Sequence, residues 1–262
     1  MSPMNNRLLR PLASGFNPKS IAGLGMWLDA SVDSSLTLNG NTVSQWSDLS
    51  GNGRNAAMVT AALQPDATTR TQNGLRVLDF DGTKSMLVHS TAAGVTNLAG
   101  AAIARNVPGV TMIAACAFDT SSSTQFLYHA STNSMPSRSA VVMSGGNILA
   151  GGRRLNTDSF ASVGYAHNAN ANIISGVLDY ANSDAFIYQN GALQDSSTSF
   201  QTDGNSQDGD SASVEIGSTA NSTSTRLNGF IGELLVFQRA LTTAERQRVE
   251  RYLGQKWGIT VA

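Results

Sequence analysis

The chain has 262 residues, a formal net charge of −1 and only 13% charged residues, against about 25% in a typical globular protein. No basic block occurs in the sequence, which disfavours both nucleic-acid binding by phosphate neutralisation and polybasic attachment to a membrane surface. No apolar run reaches the ~18 residues that a membrane-spanning helix needs, and the length suits one large all-β domain or two ordinary ones.

Residues 1–20 differ from the rest of the chain. Pro3, Pro11 and Pro18 exclude a continuous helix, so we expect an extended N-terminal arm. The arm either packs along its own domain or attaches the protein to a partner, and we predict attachment. Its anchoring residues would be Arg7, Leu8, Leu9, Arg10 and Leu12. The arm lacks the apolar core of a secretory signal, so a route other than secretion would be needed to carry the protein out of the cytosol.

From residue 21 onward, short apolar runs alternate with turn signals. The runs are rich in β-branched and aromatic residues, and Asn-Gly and Asp-Gly pairs between them favour tight hairpin turns. This pattern predicts a single all-β domain over residues 21–262, built as a sandwich or a barrel. Cys116, the one cysteine, lies in such a run (residues 111–118) and is predicted to be a buried strand residue.

One helix is predicted near the C-terminal end. Residues 242–245 (TTAE) form a capping-box pattern. Val249, Leu253 and Trp257 then follow at helical spacing, with Gly258 placed to end the helix. We expect this apolar stripe to pack on the β-domain.

The sequence offers little support for catalysis. The three histidines have no zinc-ligand spacing, and no G-x-S-x-G motif occurs. Glu233 has no acidic residue two or four positions away, so a carboxylate ladder for glycoside hydrolysis is missing. Asp79 and Asp81 lie two positions apart, on one face of a strand, and are either structural or a calcium site. We predict no catalytic residues and no cofactor, with calcium at this pair as the alternative.

Three residues are candidates for contact with a glycan. Trp46 is the best aromatic residue for stacking on a sugar, and the alternative is that it belongs to the core. Arg153 and Arg154 follow a glycine-rich hairpin and would either meet an anionic ligand or be solvated.

Several segments together resemble concanavalin A-like/laminin-G-like jelly-roll domains. In the first half they are residues 25–30 (GMWLDA), 43–53 (VSQWSDLSGNG) and 78–82 (LDFDG). In the second half they are residues 186–191 (FIYQNG), 214–217 (VEIG) and 228–245. The resemblance implies an antiparallel jelly-roll sandwich of lectin type. The Glu-x-Asp-x-x-Glu motif of the family's glucanases is absent, so the resemblance implies binding or structure rather than hydrolysis.

Residues 7–24 are similar to virion proteins of tailed bacteriophages. This similarity implies a non-enzymatic capsid decoration or fibre-like protein on the virion surface, made in the host cytoplasm and released by lysis. Its partners would be the major capsid protein or copies of itself. The alternative is a tail protein that binds glycans on the host surface, and a glycan-active enzyme comes third.

Overall fold

The computed structural model describes residues 15–90, 98–131, 137–219 and 222–262. Over these ranges the chain forms two large β-sheets that pack face to face, and all the strand pairs are antiparallel. The predicted antiparallel β-sandwich is thereby confirmed. The proposed anchoring residues of the arm lie outside the described residues.

The strands are short and numerous, as the turn signals predicted. In chain order they are β1 (Leu24–Asp29), β2 (Leu36–Asn39), β3 (Thr42–Trp46), β4 (Ala56–Ala57), β5 (Thr71–Gln72), β6 (Leu75–Arg76), β7 (Leu78–Asp81), β8 (Met86–Ser90), β9 (Gly109–Phe118), β10 (Gln125–Ser131), β11 (Ser137–Ser144), β12 (Asn147–Gly152), β13 (Ala161–Ala166), β14 (Asn172–Asp179), β15 (Asp184–Gln189), β16 (Ala192–Ser197), β17 (Ser213–Ile216) and β18 (Asn228–Phe237). The helices are α1 (Leu98–Ala101) and α2 (Thr243–Trp257), with 3₁₀ turns at Pro18–Ser20, Asp33–Ser35 and Ala61–Leu63.

One sheet has seven strands in the order β1-β18-β9-β14-β15-β16, with β7 also paired to β18. The other has nine strands in the order β13-β12-β11-β10-β17-β8-β4-β3-β2, and β5 and β6 form a separate ribbon. Strand β9 shows how the layers are made. Met112, Ala114 and Cys116 belong to the core between the sheets, while Ile113 and Ala115 belong to a second apolar cluster that includes α2.

Helix α2 covers the outer face of the seven-stranded sheet. The side chain of Thr242 accepts from the Glu245 amide while the Glu245 side chain bonds back to the cap, and Gly258 ends the helix at a φ of 68°. Val249, Leu253 and Trp257 are fully buried against the sheet, and each such side chain contributes on the order of 1.5–3 kcal/mol. The predicted cap, stripe and stop are confirmed. None of the described helices is both long and apolar enough to cross a membrane.

Candidate functional site

A cluster of charged side chains lies beneath α2. Strands β1 and β18 pair so that Asp29 stands opposite Glu233, and both residues are buried, with 2% and 0% exposure. Lys256, in the last turn of α2, reaches down to them. Its Nζ donates to Glu233 Oε2 at 2.7 Å and also to Asp29 Oδ2. We call Asp29, Glu233 and Lys256 the buried triad.

The Glu233 carboxylate is satisfied on both oxygens. Oε1 accepts from Trp27 Nε1 at 2.7 Å and from the Tyr252 hydroxyl at 3.0 Å. Oε2 accepts from Lys256 Nζ at 2.7 Å and from Trp257 Nε1 at 3.1 Å. Burial and the charge of Asp29 raise the pKa of Glu233, which Lys256 partly offsets. Burial also raises the pKa of the Tyr252 hydroxyl, and the neighbouring Glu233 raises it further.

Sequence reasoning missed this cluster because its parts are distant in the chain. Asp29 and Lys256 are 227 positions apart, and the acidic partner of Glu233 comes from the adjacent strand rather than from its own. One signal was present. Glu233 interrupts an apolar run in residues 230–237, and a charge in a buried strand requires partners.

A cavity of about 950 Å³ opens beside the buried triad. Its polar lining includes Asn73, Arg251 and Gln255, and Tyr252 contributes an aromatic ring. Asp29 and Lys256 line it as well, together with apolar residues from the end of the chain. Ligand pockets commonly have volumes of about 300–1,000 Å³ and a few convergent polar groups. The cavity can therefore hold a small molecule rich in hydroxyl groups.

Trp46 is not part of any open surface. It is 0% exposed and belongs to the core between the two sheets. Its ring has no face that a sugar could reach, because both sheets pack over it. The glycan-stacking interpretation of Trp46 was wrong, and its alternative, a core residue, is correct.

Arg153 and Arg154 lie directly after β12 and away from the cavity. Arg153 is 3% exposed, and its guanidinium donates to the Asn156 carbonyl at 2.7 Å. Arg154 is partly exposed and donates to Thr202 Oγ1 at 2.5 Å and to the Asn205 carbonyl at 3.2 Å. Both side chains therefore hold neighbouring loops, and their contact with a glycan stays a prediction.

Asp79 and Asp81, in β7, each have partners of their own. An Arg70 guanidinium nitrogen lies 3.5 Å from Asp79 Oδ1. Asp81 Oδ1 accepts from the Thr83 hydroxyl at 2.6 Å, and Lys84 Nζ lies 3.6 Å from Asp81 Oδ2. Among the described residues, no group of three or more His, Cys, Asp or Glu is placed to hold a metal ion. Calcium takes six to eight oxygen ligands, so these contacts do not favour it, and the calcium site stays a prediction.

No family model matches the sequence, and no curated protein matches it. Solved structures do match. The receptor-binding domain of botulinum neurotoxin type G is 13% identical with a TM-score of 0.54, over 88% of this chain and 51% of that one. The receptor-binding domain of mosaic serotype C/D is 11% identical with a TM-score of 0.58, over 87% of this chain and 50% of that one. A sialidase of Trypanosoma rangeli is 16% identical with a TM-score of 0.54, over 92% of this chain and 34% of that one.

The common feature is the β-sandwich. Our chain spans about half the length of the neurotoxin domains, which are covered to 50–51%, and about a third of the sialidase, which is covered to 34%. At identities this low the likeness shows the fold alone. The resemblance found in the sequence is confirmed as far as a β-sandwich, while the concanavalin A-like family and the bacteriophage setting stay predictions.

Proposed function

We propose that this protein is a non-enzymatic carbohydrate-binding module whose ligand occupies the cavity beside α2. The observation that carries the proposal is the lining of that cavity, where the amide side chains of Asn73 and Gln255 and the guanidinium of Arg251 converge with one aromatic ring. Sugar hydroxyls both donate and accept hydrogen bonds, and amide side chains can do the same, while a guanidinium donates. The apolar face of a sugar ring packs on an aromatic side chain such as Tyr252.

Two of the similar structures support a glycan as the ligand class. One is the binding domain of botulinum neurotoxin DC in complex with SialylT. Another is of botulinum neurotoxin type C, described as dependent upon interaction with two ganglioside molecules to enter cells. These are properties of those proteins, of which our chain spans only about half, with coverage of 52% and 50%. They show that chains containing this fold take part in glycan recognition.

The contacts of Glu233 support binding rather than hydrolysis. Hydrolysis of a glycosidic bond uses a pair of carboxyl groups that face the substrate. Here both oxygens of Glu233 are occupied by donors from Trp27, Tyr252, Lys256 and Trp257. Glu233 does not line the cavity, so among the described residues Asp29 is the one carboxyl group there rather than a pair.

The setting we propose is the virion surface, as a capsid decoration or fibre-like component. A receptor-binding tail protein that recognises host glycans is the second candidate. The support is the similarity of residues 7–24 to bacteriophage virion proteins, together with a sandwich that suits a surface role. Locating the chain in intact particles by cross-linking and mass spectrometry separates the two: capsid neighbours support decoration, tail neighbours support receptor binding, and absence from particles contradicts both.

The binding proposal is tested on an array of neutral, sialylated and uronic-acid-containing oligosaccharides, followed by calorimetry with the strongest hit. Arg251→Ala is expected to weaken binding about tenfold or more, since a hydrogen bond to a charged group contributes roughly 1.5–3 kcal/mol. Gln255→Ala is expected to weaken it less. Both residues are exposed, so folding is preserved.

Arg105→Ala is the matched control. Arg105 has a side chain that is 48% exposed and does not line the cavity, so its loss should leave the affinity unchanged. An array without hits, or affinities that neither cavity variant lowers, would contradict the proposal. Release of sugar from the same oligosaccharides would contradict its non-enzymatic part.

A further inference from the structure

The buried triad brings an amine and two carboxyl groups together in a largely buried position at the border of the cavity. The side chains of Asp29 and Glu233 are 2% and 0% exposed, and that of Lys256 is 15% exposed. Two potential negative charges face one positive charge there, in a region where charges are expensive to bury. Condensation of an amine with a carboxyl group removes one charge of each sign. Burial also limits the water that would otherwise reverse such a reaction.

The contacts of the two carboxyl oxygens of Asp29 favour attack by the Lys256 amine on the carboxyl carbon. Its Oδ2 contacts Lys256 Nζ, which places the nucleophile against the carboxyl group. Its Oδ1 accepts from the Ser31 amide at 3.0 Å and from the Ser31 hydroxyl at 2.7 Å. Two donors on one carboxyl oxygen stabilise the negative charge that develops there when a nucleophile adds to the carbon, as in an oxyanion hole. One oxygen is thus stabilised and the other faces the amine.

Glu233 is placed to move the proton. Its Oε2 lies 2.7 Å from Lys256 Nζ, within the reach that general acid–base chemistry requires. Burial and the charge of Asp29 raise the pKa of Glu233, so its carboxylate is a stronger base than an exposed one. The ring of Trp257 lies 5.3 Å from the same Nζ and that of Tyr252 lies 5.6 Å away. These rings enclose the reacting group.

We propose that Lys256 and Asp29 are joined by an amide bond that the folded chain forms by itself, with Glu233 as the proton carrier. This modification goes beyond the proposed function and does not depend on it. The ammonium group first passes one proton to Asp29 Oδ2, and the neutral Nζ adds to Cγ. Glu233 takes the second proton from Nζ and delivers it to Oδ2, which leaves as water. One N–C bond forms, one C–O bond breaks, nothing is oxidised or reduced, and Glu233 returns to its starting state.

Another lysine–aspartate pair shows why this chemistry belongs to the buried triad. Lys84 Nζ lies 3.6 Å from Asp81 Oδ2, but those side chains are 21% and 52% exposed. Water solvates this pair, and the hydrogen bonds that Asp81 Oδ1 accepts come from the amide and the hydroxyl of Thr83. Lys84 therefore provides the matched control. The buried triad also differs in its consequence, since an amide there would tie the first strand of the sandwich to its C-terminal helix.

Mass spectrometry of the purified, unfolded full-length chain tests the proposal. The expected mass is lower than the sequence mass by one water molecule. Digestion should release a branched peptide in which Lys256 is joined to Asp29. Lys256→Arg and Glu233→Gln should both restore the full sequence mass, because the first lacks the reactive amine and the second lacks the base. Lys84→Arg should still show the loss of one water.

The wild-type chain alone is sufficient to decide the question if either variant fails to fold. A full sequence mass for protein that circular dichroism shows to be folded would overturn the proposal and leave the buried triad as an ion cluster. A loss of water without the branched peptide would also overturn it, because a cyclised aspartyl residue has the same mass. Retention of the bond in folded Glu233→Gln would remove Glu233 from the mechanism.

Discussion

Two buried polar side chains, one on each sheet, differ in how the fold treats them. Glu233 on the seven-stranded sheet receives four hydrogen bonds from side chains. His129 on the nine-stranded sheet is also 0% exposed, yet neither ring nitrogen has a hydrogen-bond partner among the described residues. Its cross-strand neighbour is Glu215, and the Phe126 ring packs against it at 5.4 Å.

The difference comes from the helix. Tyr252, Lys256 and Trp257 all belong to α2, and they supply three of the four donors to Glu233. The Glu233 carboxylate can be buried on the outer face of the seven-stranded sheet because α2 supplies its hydrogen-bond donors. His129 can be buried without such partners only as a neutral ring, and burial accordingly lowers its pKa from 6.5 to about 4. Glu233 stabilises the packing of α2 on its sheet. His129, in contrast, is a buried group that becomes charged only at low pH.

Removing the Glu233 carboxylate should have the largest effect on the free energy of unfolding. Glu233→Ala leaves two indole N–H groups and the Tyr252 hydroxyl without their acceptor. Since each unsatisfied buried donor costs about 1–3 kcal/mol, we expect the free energy of unfolding to fall by about 3–5 kcal/mol. Denaturant unfolding followed by circular dichroism measures it. Asp33→Ala is the control, because Asp33 pairs with Arg76 but has an 84% exposed side chain. Exposed pairs contribute about 0–1 kcal/mol. Equal losses in the two variants would contradict our comparison of the sites.

Lowering the pH should destabilise the protein through His129. The folded pKa of His129 lies below its ordinary value of 6.5, so the stability due to the neutral ring is fully present above pH 6.5 and is lost as the pH falls toward 4. The shift corresponds to roughly 3 kcal/mol. Unfolding measured between pH 7 and pH 4 should therefore show a steep decline in wild type. In His129→Leu the decline should be shallower, and an unchanged slope would mean that other groups carry it.

Removing the helix cap should have a smaller effect. Thr242 accepts a hydrogen bond from the Glu245 amide at 3.4 Å, and loss of such a cap costs about 1 kcal/mol. Thr242→Ala is expected to lower the stability by that amount. Thr243→Ala, an exposed change one residue later, should be neutral or slightly stabilising because alanine is the better helix former. A cap variant as stable as this control would show that docking alone holds the helix.

These features differ in how far the sequence could predict them. The cap, the apolar stripe and the stop of α2 depend on residues one to four positions apart, and they were all predicted. The pairing of Asp29 with Glu233 depends on which strands become neighbours and in which register, and no local spacing encodes that. The burial of Trp46 depends on which face of its sheet meets the other sheet. Local patterns therefore predicted the elements, while long-range strand order assembled the candidate site.

Deleting residues 1–14 should have the smallest effect on folding and the largest on assembly. The structure sharpens this boundary because Phe16 already packs on the sandwich, with its ring 5.5 Å from that of Tyr252 and the Arg248 guanidinium 5.2 Å from it. Ile21 is buried in the same cluster. A chain that begins at Gly15 keeps these contacts and should retain nearly the wild-type melting temperature.

The same truncation removes Arg7, Leu8, Leu9, Arg10 and Leu12 together. If these residues attach the protein to a capsid or to another copy of itself, incorporation into particles or oligomers should be lost while glycan binding is kept. Leu8→Ser with Leu9→Ser should reproduce part of that loss in the full-length chain, because apolar side chains supply most of the attachment energy. Arg7→Gln with Arg10→Gln should mainly slow association, since charges at the rim of an interface steer encounter more than they hold it. A truncated chain that still assembles would place the attachment surface on the sandwich, and one that unfolds would make the arm part of the domain.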